Sequence, residues 1–165
     1  MLNKMKVALL GAMAVAALSS TGAQAATLGA DAKATILSAV QLAQNDALDF
    51  GVIASSSTAG TVDLPTGSNG RTCSAGVTCV GTALRGQFTV SGAASGYNVA
   101  IAVAPSATLT SLGGNTMSAA LVSSITSFTS IGASQAFFVG GTLSVGANQP
   151  AGVYTGSYTV SANYQ

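Results

Sequence analysis

The sequence predicts an all-β fold, a single antiparallel β-sandwich. Short stretches rich in Val, Ile, Thr, Phe and Tyr alternate with clusters of Gly, Ser and Asn, the strand-and-turn rhythm of a sandwich. One stretch, Gly96 to Val103, alternates strictly: Tyr97, Val99, Ile101 and Val103 share a face, and Asn98, Ala100 and Ala102 share the other. Period two is the signature of a half-buried strand. No internal repeat or linker interrupts the pattern.

The first residues read as an address label. Lys4 and Lys6 precede the apolar run Val7 to Leu18, and Ala23 to Ala25 forms a small-residue cleavage site. The run is shorter than the roughly 20 residues that span a bilayer. Residues 1–25 are therefore expected to be a signal peptide, leaving no membrane span after cleavage. The remaining residues, 26–165, are enough for one domain with a sizeable core.

Candidate strands follow in order. "ATILSAVQLA" (34–43) places Ile36, Val40 and Leu42 on one side, and "ALDFGVI" places Leu48, Phe50 and Val52 together. "GTVDL" follows, then the loop "PTGSNGRTCSAG", whose Asn69-Gly70 pair is a turn signal. "LRGQFTV" and "GYNVAIAV" are separated by "SGAAS", a hairpin-like spacing. Gly113 to Asn115 form another turn, and the Ser/Thr load of "MSAALVSSITSF" argues strand over helix. "QAFFVGGTLSV" reads as a buried strand with a kink at Gly140-Gly141. After the turn "GANQPAG", the stretch from Ala151 to Gln165 reads as one closing strand. On it Tyr154, Gly156, Tyr158, Val160, Ala162 and Tyr164 share one face.

Composition excludes several function classes. Beyond residue 25 the charges are Asp31, Asp46, Asp49 and Asp63 against Lys33, Arg71 and Arg85. So few cations leave no footprint for nucleic acid. The chain has no His and no Glu, which removes a Ser–His–Asp site and His-ligated zinc. Asp46 and Asp49 lack a calcium-loop pattern and read as turn and solvent-face residues. "TGSNG" lacks the Gly-Lys-Ser/Thr ending of a phosphate loop. No cofactor, metal or catalytic role is expected. The aromatics Phe50, Phe88, Tyr97, Phe128, Phe137 and Phe138 are assigned to the core.

Cys73 and Cys79 are expected to form a disulfide in an oxidising compartment, a local staple on a hairpin tip. Loop entropy gives so short a loop roughly 2 kcal/mol. The spacing is not that of a redox pair.

The closing stretch resembles the C-terminal strand of bacterial pilus subunits of the chaperone–usher type. Tyr164 is penultimate and Gly152 is fourteenth from the end, with alternating apolar residues between. "LDFGVIA" and "GQFTVSGAASGYNVAIAV" resemble secreted bacterial β-domains related in pattern to fimbrillins and spore-coat-U-like proteins. The resemblance implies an immunoglobulin-like sandwich that lacks one strand and is completed by a donor strand. It implies a groove flanked by the closing strand, with Gly152, Tyr154, Tyr158, Val160 and Tyr164 contributing. A periplasmic chaperone would fill the groove in transit, and an outer-membrane usher would pass the subunit on. In the fibre a like subunit would fill it with its own N-terminal segment, at the cell surface or outside the cell.

Residues 26–36 have the period for such a donor: Leu28, Ala30, Ala32, Ala34 and Ile36 alternate with polar or small residues. Burying Leu28 and Ile36 would contribute about 1.5–3 kcal/mol each. The other reading of the same features is a self-contained secreted sandwich that binds glycans or surface proteins as a monomer. The placement of the N-terminal segment discriminates between the two.

Overall fold

A computed structural model describes residues 24–165; the expected signal peptide falls mostly outside them. The chain divides between Ala34 and Thr35. Residues 24–34 carry no helix or strand and their side chains are exposed. Residues 35–165 form an all-β body, as expected, with no helix.

The body begins with β1 (Gln41–Asp46), β2 (Val52–Ser55), β3 (Gly60–Leu64), β4 (Thr72–Cys73) and β5 (Val77–Val80). Next come β6 (Gly86–Ser91), β7 (Asn98–Val103), β8 (Ser106–Ser111) and β9 (Thr116–Ser123). The last are β10 (Ser127–Thr129), β11 (Gln135–Val145), β12 (Tyr154–Thr155) and β13 (Val160–Tyr164). One layer is a large sheet of order β1-β6-β11-β9-β8-β12, with β3 also on β11 and β4 on β3. Two small sheets, β10-β7-β13 and β2-β5, supply the second layer. All pairings are antiparallel.

The central strand β11 explains why the core has two parts. Its first half pairs with β6 and its second half with β3, while β9 runs along the other edge. Phe137 and Val139 join Phe88, Val90, Val99 and Ile101 under the β7 sheet. Leu143 and Val145 join Phe50, Val62, Leu64 and Ala119 under the β2-β5 sheet. Gly140 and Gly141, expected to kink the strand, lie where β11 changes partner. At Gly140 the Leu64 carbonyl approaches too closely for any Cβ.

Several local expectations need correction. The first strand starts at Gln41, so Val40 and Leu42 pack as expected while Ile36 is exposed ahead of it. In "ALDFGVI" the alternation breaks at Gly51, whose φ is 73°. Leu48 and Phe50 face the core, Val52 turns out, and Ile53 packs in its place. β6 and β7 are not a hairpin; they lie in different layers. The disulfide Cys73–Cys79 forms, but it links β4, paired to the large sheet, to β5 of a small one. Two aromatics leave the expected core: Tyr97 is 42% exposed, and Phe138 lies under the Arg85 guanidinium, 3.6 Å from its ring centroid.

The closing stretch is two strands, not one. Tyr154 and Thr155 pair with Ser111 and Thr110 of β8, in the large sheet. Val160 to Tyr164 pair with Val103 to Val99 of β7, in the second layer. The reason lies in its partner. β7 and β8 are joined through Ala104-Pro105, where the chain passes from one layer to the other. The closing stretch runs antiparallel to both and changes layer with them, tied at the crossing by the Ala104 N–H donating to the Thr159 carbonyl at 2.9 Å.

Candidate functional site: an open apolar cleft

The β2-β5 sheet leaves part of the large sheet's inward face uncovered, and beside it lies a cleft of about 1140 Å³. Its floor is the inward face of the large sheet: Ala107 and Leu109 of β8, Met117, Ala119 and Leu121 of β9, and Leu143 and Val145 of β11. One wall is the stretch from Ala47 to Ser55, which contains β2. Residues Gln149 to Gly156, with β12, form the opposite wall, and Tyr158 adds to it. Among the described residues β2 pairs with β5 alone and β12 with β8 alone. Both walls therefore keep a backbone edge without a strand beside it.

One end of the cleft is held by a polar network. The Ser55 hydroxyl donates to the Gln149 carbonyl at 3.0 Å, and the Asn148 N–H donates to the Ser56 carbonyl at 2.7 Å. Gln149 Nε2 donates to the Thr116 carbonyl at 3.2 Å and to the Tyr154 hydroxyl at 2.9 Å. That hydroxyl in turn donates to the Pro150 carbonyl at 2.7 Å. The Asp49 carboxylate accepts from the Gly51 N–H at 2.7 Å, a turn role as expected from the sequence.

Of the residues expected at a groove, Gly152, Tyr154 and Tyr158 line the cleft. Val160 and Tyr164 do not; they pack into the core cluster under β7. The Tyr164 hydroxyl accepts from the Ala94 N–H at 2.7 Å and donates to the Ser38 carbonyl at 2.9 Å. It fastens the chain before β1 to the end of β13. The expected donor residues Leu28, Ala30, Ala32, Ala34 and Ile36 lie in no strand and are exposed, Leu28 at 93% and Ile36 at 95%.

Tyr158 is the exception to good polar accounting. Its hydroxyl is buried without a hydrogen-bond partner. The ring stands edge-on to Phe88 with centroids 6.3 Å apart, and the hydroxyl fills space left by Gly86. Burial pushes its pKa up, because the phenolate would be poorly solvated there. An unpaired buried hydroxyl costs about 1–3 kcal/mol. Tyr158→Phe is therefore expected to be neutral or to stabilise the body by up to about 1 kcal/mol, read from the denaturant midpoint at neutral pH. The folded pKa lies above the unfolded value near 10, so stability holds below about pH 10 and falls as pH rises past it. Tyr158→Phe should lose less stability in that alkaline window than the parent. An equal alkaline loss in both proteins would refute the assignment.

Sequence reasoning missed the wall from Ala47 to Ser55, the floor, and Arg71. Arg71 had one visible signal: it is one of only three Lys and Arg residues beyond residue 25. Its guanidinium donates to the carbonyls of Phe50, Val52, Val80 and Gly81, behind the β2 wall.

No curated relative matches this sequence. Residues 40–164 match the family described as a domain of unknown function, DUF4402, a span that starts one residue before β1 and ends with β13. The match takes in both layers and both walls of the cleft, and on it the chain belongs to the DUF4402 family.

Proposed function

We propose that this protein is a structural subunit of a bacterial surface fibre, in which the cleft accepts an extended segment from a neighbouring subunit. The observation that carries the reading is the cleft itself, an apolar trough between two backbone edges that each have a strand on one side only. Its volume exceeds the roughly 300–1,000 Å³ of ordinary small-molecule pockets. The polar side chains Asp49, Gln149 and Tyr154 along its walls already serve the protein's own backbone. An added strand supplies main-chain partners for such edges and apolar side chains for such a floor. Left open, the same trough is an association hazard, which is a physical reason for a periplasmic chaperone to cover it during export and for an outer-membrane usher to receive the subunit.

Residues 26–36 are the proposed donor. Their alternation suits a strand, and in this structure they hold none. A segment offered to one neighbour while the cleft receives from another is a head-to-tail contact, which grows a filament.

The test compares the chain from Ala26 with a version lacking Ala26 to Lys33, by size-exclusion chromatography and negative-stain microscopy. Fibres or SDS-resistant oligomers are expected from the longer chain and not from the shorter. Two equally folded monomers would overturn the fibre reading and leave a self-contained secreted binding module for glycans or surface proteins.

A further inference from the structure

We infer that Arg71 is the positioning residue of the cleft: its guanidinium holds the β2-β5 wall at the separation an extended segment requires. The inference rests on reading the cleft as a strand acceptor. Four carbonyl oxygens converge on this one side chain. Nη1 donates to Phe50, and Nη2 reaches Val80 at 2.6 Å, Val52 at 3.2 Å and Gly81 at 3.2 Å. Phe50 and Val52 lie on the wall that faces the cleft, and Val80, the last residue of β5, and Gly81 after it border the cleft. Four carbonyl dipoles aimed at one point repel each other unless a cation sits there. A planar fork with several donors can bridge them, whereas a lysine ammonium reaches as a single point.

The surroundings are shaped for this contact. Gly51 sits between Phe50 and Val52, and any Cβ there would collide with the Arg71 guanidinium and the Thr82 carbonyl. Two residues along from Arg71, Cys73 forms the disulfide with Cys79 of β5. The short segment Arg71–Cys73 thus grips β5 covalently and β2 through the guanidinium. The β2-β5 sheet has only two strands, and a two-stranded sheet is marginal by itself. Its position over the floor depends on how it is fastened. Arg85 differs: it covers Phe138 and donates to the Thr66 carbonyl, away from the cleft lining.

The experiment measures binding of a fluorescent synthetic peptide with the sequence of residues 26–36. The proteins are the version lacking Ala26 to Lys33, whose cleft no intact donor can fill, its Arg71→Lys variant and its Arg71→Ala variant, the last with and without guanidinium ion at a sub-denaturing concentration. Hydrogen exchange of the amides in β2, β5, β6 and β11 is followed in parallel. Arg71→Lys is expected to weaken the peptide by about tenfold, the loss of one charged hydrogen bond. Guanidinium ion should restore binding to Arg71→Ala, and exchange should quicken in β2 and β5 only. Unchanged affinity in both variants would overturn the inference. If the parent binds no peptide, the acceptor reading fails, and exchange still decides the role of Arg71. Faster exchange confined to β2 and β5, reversed by guanidinium ion, supports it. Unchanged exchange, or equal acceleration in β6 and β11, overturns it.

Discussion

Phe137→Ala is expected to destabilise the body by about 3–5 kcal/mol, the range for emptying a large aromatic from a close-packed core. Phe137 is 1% exposed and sits in the first half of β11. Its ring stacks on Phe88 with centroids 5.4 Å apart and planes at 18°, a contact of the kind that adds about 0.5–1.5 kcal/mol beyond burial. The cavity would open between the large sheet and the β7 sheet, where rigid strands on both sides limit collapse. Domains of this size are stable by only about 5–15 kcal/mol. The variant should therefore lose a large fraction of its folded population at moderate denaturant. A guanidinium chloride titration with the disulfide intact checks it; a shift worth less than about 1 kcal/mol would mean that the two layers are not packed at this point.

Gly141→Ala is expected to cost about 3 kcal/mol, the upper part of the range for overpacking. The added methyl would strike the Ala120 carbonyl of β9 and crowd the Leu121 side chain. A flexible side chain could move aside, but a ladder carbonyl in the middle of a sheet cannot. Gly141 is also where β11 pairs simultaneously with Leu64 of β3 and Leu121 of β9. Strain there is transmitted to both core clusters, because Leu121 packs against each. Thermal unfolding of the two proteins side by side tests it, and an unchanged midpoint would show that the strands move apart without penalty.

The sequence resolved the strands where one face meets the core and the other does not. Val99 and Ile101 are buried as their alternation requires, and Val103 packs with them. It failed where a single residue changes the face that follows. At Gly51 a positive φ resets the alternation, so the reading of Val52 as a core residue gave way to Ile53. The residues expected at a groove divide between two places. Tyr154 and Tyr158 line the cleft, but Val160 and Tyr164, on the same alternating face, point into a core that is already closed.

What the sequence by itself determined is the all-β class, the pairing of Cys73 with Cys79, and most strand positions. These depend on local propensity, turn chemistry and short-range spacing. What only the tertiary structure decided is which strand lies beside which. β6 and β7 are neighbours in sequence yet belong to different layers, and the closing stretch splits because the β7–β8 connection crosses between layers at Ala104-Pro105. The cleft follows from the same facts. It is the space left between β2 and the Gln149–Gly156 stretch with β12, over the large sheet, and its wall is set by Arg71 reaching carbonyls up to 21 residues away. Alternation tells a residue which side of its own strand is apolar; only the placement of other strands tells whether that side is covered.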